Sequence, residues 1–350
     1  MRYQMLGRSG LKVSELCLGT MTFGEDWGWG ASRDESRRIY DAFREAGGNF
    51  IDTANVYTNG SSETLLGEFM HGHRQEIVLA TKYTNHAPGV NGPNASGNSR
   101  KSMMEAVDAS LKRLRTDYID LYWLHIWDFL TPIDEVMRAF DDLVRQGKVL
   151  YVGISDAPAW VVSRANTIAE LRGWSPFVAL QVEYSLIERA PERDLLPMAE
   201  ALSLSVTPWS PLAGGVLSGK YATGQGGNSR FADQGMKQFQ ASGNRADAIV
   251  QEVLAVAKET GRSGAQVALA WLRHRRIPTI PIIGARRLEQ FKDNLNCLTL
   301  KLQPAQIERL DRASAIELGF PHEFFEKEMV RRLVYAGYRE SIDTPWSPPR

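Results

Sequence analysis

Short apolar runs, each followed by a glycine or a polar residue, alternate along this chain with amphipathic helical segments, and no linker interrupts the series. The runs are Leu16 to Gly19, Asn49 to Asp52, Ile77 to Thr81 ending at Lys82, and Ile119 to Leu124 ended by His125. Val149 to Ile154 (ended by Ser155-Asp156), Val178 to Val182, Ser205 to Thr207, and Thr279 to Ile283 (ended by Gly284) complete them. Each reads as a short buried strand. Between them, Ser32 with Glu35 forms a capping-box pattern that opens a helix to Ala46. Met103, Val107, Leu111 and Leu114 share one helical face, and Thr131-Pro132 starts a helix buried through Val136, Phe140, Leu143 and Val144. Further helices fall near residues 64–70, 160–171, 195–202, 246–260, 265–273 and 288–295. Eight strand–helix units in one chain predict a (β/α)8 TIM barrel in the α/β class. A doubly wound sheet lacks its phosphate-binding fingerprint, because no G-x-G-x-x-G follows the first strand. The whole chain, 1–350, reads as one domain: an N-terminal β-hairpin over about 3–13, the barrel over about 16–296, and a C-terminal helix and tail over 303–350.

Composition narrows the partners. Lysine plus arginine, 41, equals aspartate plus glutamate, 41, so bulk charge attracts neither nucleic acid nor an anionic membrane. Cys17 and Cys297 are too few for a disulfide framework and are not spaced as metal ligands. No apolar signal core or membrane-length run is present, so the expected location is cytoplasmic. Whether the protein is a monomer or a homo-oligomer is left open.

In such a barrel, side chains at strand ends and on the following loops converge over one face. Asp52 ends the second strand with Tyr57 just beyond it, Lys82 ends the third and His125 the fourth. Taken singly they read as a turn cap, a surface lysine and a satisfied core histidine. Taken together, a lysine beside Tyr57 would favour the phenolate and lower its pKa, and Asp52 would hold the lysine in place. A histidine opposite can hydrogen-bond a carbonyl oxygen. The set can protonate a carbonyl that receives a hydride.

FIDTANVY, the lysine of VLATKY, the histidine of DLYWLH, YVGIS, QVEYS, WSPLAGG and IIGARRLEQFKDN occur in the order found in the aldo-keto reductase family. The sequence resembles that family from about Met5 to Leu310, and DAPAWVVSRAN is most similar to its aryl-alcohol-dehydrogenase-like branch. The resemblance implies that Tyr57 is the general acid in reduction and the base in oxidation, tuned by Lys82 and Asp52, with His125 orienting the substrate carbonyl. The implied cofactor is NADP(H). Gly19, Thr20 and Asp52 would border it, Ser155 and Gln181 would hold the nicotinamide carboxamide, and Trp209 would stack on the ring. Ser210, Leu212, Gly214, Lys220 and Arg230 belong to the stretch expected to wrap the pyrophosphate. Gly284, Arg286, Gln290 and Asn294 would hold the adenosine and its 2′-phosphate. That last expectation also has a physical basis, since guanidinium suits a phosphate dianion and the final helix starts there with free N–H groups.

One departure stands out. Many family members have Asn where this chain has Asp156, whose carboxylate can accept from an amide but cannot donate to it. A cap on the helix that follows is the other reading. Trp27, Trp29, Tyr83 and Trp127 lie on or beside the loops of the same face and suggest an apolar, aromatic or bulky carbonyl substrate. His71-Gly72-His73 has metal-like spacing but falls away from the strand ends and reads as surface, so no metal is expected. The reaction implied is carbonyl reduction to an alcohol, or its reverse. A cofactor-binding regulatory subunit resembling channel β-subunits, or a metal-dependent barrel hydrolase, are the alternatives.

Overall fold

The computed structural model describes residues 1–86, 89, 91–220 and 243–343. A hairpin of β1 (Tyr3–Met5) and β2 (Lys12–Ser14) comes first. Then follow β3 (Cys17–Gly19), α1 (Arg33–Glu45), β4 (Phe50–Asp52), α2 (Ser61–Phe69), β5 (Val78–Tyr83), α3 (Arg100–Leu114), β6 (Ile119–Leu124) and α4 (Ile133–Arg145). The next units are β7 (Val149–Ser155), α5 (Ala159–Arg172), β8 (Phe177–Glu183), α6 (Leu195–Ala201) and β9 (Ser205–Trp209). After them come α7 (Asn244–Thr260), α8 (Gly264–Arg273), β10 (Ile282–Ile283), α9 (Leu288–Leu295), α10 (Pro304–Ala313), α11 (His322–Phe325) and α12 (Glu328–Tyr335).

Strands β3 to β10 form one parallel sheet, in the order β10-β3-β4-β5-β6-β7-β8-β9. A parallel bridge from Val206 to Thr279 joins the two ends, and Ile280 N–H donates to Val206 O at 2.8 Å. The result is a (β/α)8 barrel. The last strand is shorter than the predicted Thr279 to Ile283 because Pro278 and Pro281 have no N–H to give. Their carbonyls do take part, accepting from Val206 and Cys17.

Alternation along each strand sorts the side chains. Cys17, Phe50, Val78, Ala80, Leu121, Trp123 and Ile280 fill the barrel interior, while Leu18, Ile51 and Leu79 pack outward under the helices. The hairpin closes the bottom: Leu6 and Val13 join the interior cluster, and Gly7 N–H donates to Ser205 Oγ at 2.8 Å. Gly7 has φ +54°, and a Cβ there would stand 2.1 Å from Val178 O, so no other residue fits this plug. Gly153 serves the interior in the same way, since a Cβ on it would meet the Trp123 ring at 2.4 Å.

Ser32 caps α1 by accepting from Glu35 N–H at 3.4 Å, as the capping pattern predicts. The other half of that pattern is not made. The Glu35 carboxylate instead accepts Leu288 N–H at 2.6 Å, tying α1 to the start of α9. At the far side, α10 is fastened by a cluster around Trp271. Asp311 Oδ1 accepts from Trp271 Nε1 and from Arg275 Nη1, both at 2.9 Å, and the Arg275 guanidinium lies 4.1 Å from the ring centroid. Among the described residues no helix is long and apolar enough to cross a membrane.

Candidate active site

Asp52 is the last residue of β4, and register pairs it with Ala80 on β5. Asp52, Ala80 and Lys82 therefore all turn inward, with Lys82 one step nearer the upper rim. Lys82 is fully buried, and its three ammonium protons are all taken: by Asp52 Oδ1, by Thr53 O at 2.8 Å and by Tyr57 OH at 3.0 Å. Asp52 Oδ2 accepts from Gln181 Nε2 at 3.1 Å. Both carboxylate oxygens and the ammonium are thus satisfied, the condition under which a buried ion pair persists.

Tyr57 reaches the ammonium because the chain turns sharply after it. Thr58 and Asn59 lie in the left-handed region, with φ 44° and 55°, a conformation that costs about 1 kcal/mol or more per non-glycine residue. Thr58 is held there by its hydroxyl, which donates to Phe23 O at 2.5 Å and accepts from Ser62 N–H at 3.1 Å. His125 stands edge-to-face with Tyr57, the ring centroids 6.0 Å apart and the planes at 83°. Its Nδ1 lies 3.2 Å from Asn85 Nδ2, which leaves Nε2 as the N–H donor of the neutral ring.

Burial dominates the electrostatics. It pushes the Tyr57 hydroxyl above its ordinary pKa, and the attraction of Lys82 offsets only part of that rise. The expected lowering of the tyrosine pKa is therefore overturned. Burial also raises Asp52 against the pull of Lys82. It works against the Lys82 ammonium too, but Asp52 and Tyr57 outweigh it and hold the lysine above its usual value. Burial, with help from the Lys82 charge, drives His125 well below the histidine range, so its ring is neutral at neutral pH.

A buried Asp–Lys–Tyr cluster with a neutral histidine, at the strand ends of a parallel barrel, is accompanied by a match of residues 15–315 to the model of the aldo/keto reductase family. The chain belongs to the aldo/keto reductase family. It is 40% identical over 326 residues to a norsolorinic acid reductase of Aspergillus flavus, covering 90% of this chain and 81% of that protein. It is 38% identical over 342 residues to the aryl-alcohol dehydrogenase [NADP(+)] of Phanerodontia chrysosporium, covering 92% and 88%. A putative aryl-alcohol dehydrogenase of Saccharomyces cerevisiae is 36% identical over 335 residues, covering 91% and 88%.

In this aldo/keto reductase the residues expected to border a cofactor differ in what they still offer. Ser155 Oγ is buried and makes no close hydrogen bond among the described residues; the group that acts with it is the adjacent Asp156 carboxylate. Gln181 gives one amide N–H to Asp52, which leaves its second N–H and its oxygen. Thr20 is a correction: it is fully buried, its hydroxyl donates to Asp52 O at 3.0 Å and lies 2.9 Å from Ser62 Oγ, so its side chain bolts the barrel. Gly19 is bare where a Cβ would stand 2.6 Å from Ile282 Cγ2. Trp209 ends β9 on the rim, its indole donating to Asp156 Oδ1 at 3.0 Å. Asp156 therefore does not cap α5, whose N-cap is Pro158.

The turn beyond β9 runs through left-handed Ser210, Ala213, Gly214 and Gly215, next to half-buried Leu212. Lys220 folds back over it, its Nζ 2.9 Å from where a Cβ on Gly215 would stand. Arg230 lies outside the described residues. After β10, Gly284 is exposed, Arg286 is half-buried and Arg287 exposed; on α9 Gln290 is exposed and Asn294 buried. The start of α9 is less free than expected, because Glu35 already holds the Leu288 N–H.

The aromatic rim also needs correction. Trp27 and Trp29 are half-buried with centroids 5.5 Å apart, and Trp27 Nε1 donates to Asn59 Oδ1 at 3.1 Å, beside the Tyr57 turn. Tyr83 faces the other way. It follows inward Lys82, so alternation sends it under the helices, where it stacks on Tyr122 at 5.5 Å. Trp127 packs in the same apolar cluster and shows only 7% of its surface. His73, expected on the surface, is half-buried and bonded to Tyr40 OH at 2.7 Å, while His71 is exposed. Among the described residues no group of three or more His, Cys, Asp or Glu is placed to hold a metal ion. Sequence reading missed Asn85, which orients His125; no pattern within its Asn-containing loop marks it.

Proposed function

We propose that the protein reduces an aldehyde or ketone to the alcohol with NADPH, or carries out the reverse oxidation, as a single barrel unit. The observation that carries this reading is the Lys82 ammonium held between Asp52 and Tyr57 OH at the upper rim of the barrel. Bound NADPH would supply the hydride that adds to the carbonyl carbon.

The chain's own part is the proton. Tyr57, kept protonated by its raised pKa, gives its proton to the carbonyl oxygen, and the phenolate left behind is stabilised by Lys82. Asp52 keeps the lysine in place and charged. Neutral His125, donating from Nε2, orients the carbonyl oxygen toward Tyr57. Hydride and proton together convert the carbonyl to an alcohol. In oxidation Tyr57 takes the proton back.

Several features support the cofactor. Ser155 offers a buried hydroxyl with no close hydrogen bond, Trp209 an aromatic face on the same rim, and the left-handed Gly214-Gly215 turn a stretch without side chains next to Lys220. Gly284, Arg286, Gln290 and Asn294 remain the side assigned to adenosine and its phosphate, and the name of one relative includes NADP(+). The Trp27–Trp29 pair and the relatives' names favour an aromatic or bulky substrate.

The test is loss of NADPH absorbance with a panel of aromatic, aliphatic and sugar carbonyls, with Tyr57→Phe as control. Turnover of one class that disappears in the variant is the expected result. Turnover undiminished in Tyr57→Phe would remove the tyrosine from the chemistry. Tight NADPH binding without turnover of any carbonyl would favour a cofactor-binding regulatory protein instead.

A further inference from the structure

Asp156 is a carboxylate at the strand-end face that the Asp–Lys–Tyr cluster does not use. Asp156 follows Ser155 at the end of β7, with φ 41°, a conformation seldom adopted by residues other than glycine. Its backbone is pinned there: Asp156 N–H donates to Gln181 O, and Trp127 N–H donates to Asp156 O, both at 3.3 Å. The residue as a whole is exposed, but its carboxylate is desolvated enough that burial raises its pKa, and Oδ1 accepts from the Trp209 indole at 3.0 Å. That donor is neutral. Among the described residues no lysine, arginine or histidine forms an ion pair with Asp156, and Lys82, which acts on it from further away, is already paired with Asp52. The charge of Asp156 also acts on Tyr57, so both groups share one electrostatic neighbourhood.

We propose that Asp156 makes this cleft prefer the oxidised over the reduced nicotinamide cofactor, by setting an uncompensated carboxylate beside the place where the ring binds. The inference rests on the cofactor reading above. The two forms of the cofactor share their phosphates, sugars and adenine, so every contact to those parts cancels in the comparison. They differ at the ring, which is cationic when oxidised and neutral when reduced. Groups near the ring, charges above all, are what separate them. Ser155, whose buried hydroxyl interacts with the Asp156 carboxylate, and Asp156 are consecutive, their Cα atoms about 3.8 Å apart. A ring whose carboxamide reaches Ser155 lies within the reach of that carboxylate, where water screens poorly. An asparagine in the same place would accept the same indole hydrogen bond but carry no charge.

The experiment is calorimetric titration of the intact protein with NADP+ and, separately, NADPH, for wild type, Asp156→Asn and Trp209→Phe. Asp156→Asn should raise the Kd for NADP+ about tenfold or more, while the Kd for NADPH moves by less than about threefold. Trp209→Phe keeps an aromatic face and the carboxylate, so it should weaken both forms and change their ratio much less than Asp156→Asn does. Equal shifts for both forms in Asp156→Asn would mean that the residue only positions the site, and the proposal would be wrong. So would a change of ratio in Trp209→Phe as large as in Asp156→Asn, because indole geometry would then set the preference. A wild type that binds neither form would overturn the cofactor reading and this inference with it.

Discussion

Asn85 Nδ2 lies 3.2 Å from His125 Nδ1, and this one contact decides which nitrogen of the imidazole carries the proton toward the cleft. Asn85→Ala should free the ring and lower kcat/KM for a carbonyl substrate by about 3- to 10-fold, the worth of one net hydrogen bond. The Kd for NADPH should stay constant. A variant with unchanged kcat/KM would show that His125 keeps its orientation by packing alone.

The raised pKa of Tyr57 gives the two directions of reaction different pH profiles. Burial stabilises the neutral phenol, so the acid form needed for reduction persists to above about pH 10, and the reduction rate should stay level up to that point. Oxidation needs the phenolate, so its rate should climb through the same range. Lys82→Met removes the one nearby charge that favours the phenolate, and should slow oxidation by about 10²-fold or more. Steady-state rates in both directions across a pH series check this. Oxidation as fast as wild type in Lys82→Met would exclude the role given to the lysine.

His125 makes the fold sensitive to acid. Its folded pKa is depressed well below the ordinary 6.5, so its contribution to stability is present above that value and is lost as pH falls below it, where the unfolded chain takes up a proton and the folded one does not. Wild type should lose up to about 2 kcal/mol by this route between neutrality and about pH 5. His125→Gln should lose correspondingly less. Urea denaturation at the two pH values measures the difference, and identical pH dependence of the two proteins would contradict it.

Arg286 is half-buried beside the start of α9, where Glu35 has already taken the Leu288 N–H. Recognition of a 2′-phosphate then falls more heavily on the guanidinium than a helix with free N–H groups would require. Arg286→Ala should weaken NADPH by about 10-fold or more and leave NADH within about 2-fold. Equal losses for both cofactors in a binding titration would place the phosphate elsewhere.

Asp311 anchors α10 by accepting from the Trp271 indole and from Arg275, whose guanidinium is packed on the same ring. Asp311→Ala leaves both donors without an acceptor and should destabilise the protein by about 2 kcal/mol. The urea midpoint should fall with an unchanged m-value. A loss below about 0.5 kcal/mol would mean that packing alone holds the helix.

The placement of the strand-end residues was legible before any coordinates, because it follows from local pattern. Alternation puts Asp52 and Lys82 on the inward side of neighbouring strands, and it also turns Tyr83 outward, a consequence that proximity in sequence obscured. Ser32 was legible as a cap because its bond to Glu35 N–H spans only three residues. The Glu35 carboxylate was not, since its partner Leu288 is 253 residues away. Thr20, read as bordering a ligand, instead spends its hydroxyl on Asp52 O and Ser62. Local signals do not report such long-range commitments.

Sequence alone determined the eight strand–helix units, the strand ends at which Asp52, Lys82 and His125 stand, and the family, because periodicity and turn residues act over a few positions. Tertiary structure decided the signs and the partners. The Tyr57 pKa rises rather than falls because the closed barrel removes water from the phenol more effectively than one ammonium can compensate. Asp156 faces the cleft bound to Trp209, instead of capping a helix, because β7 and β9 bring residues 53 positions apart to one rim. Desolvation and distance between remote segments exist only once the barrel has closed.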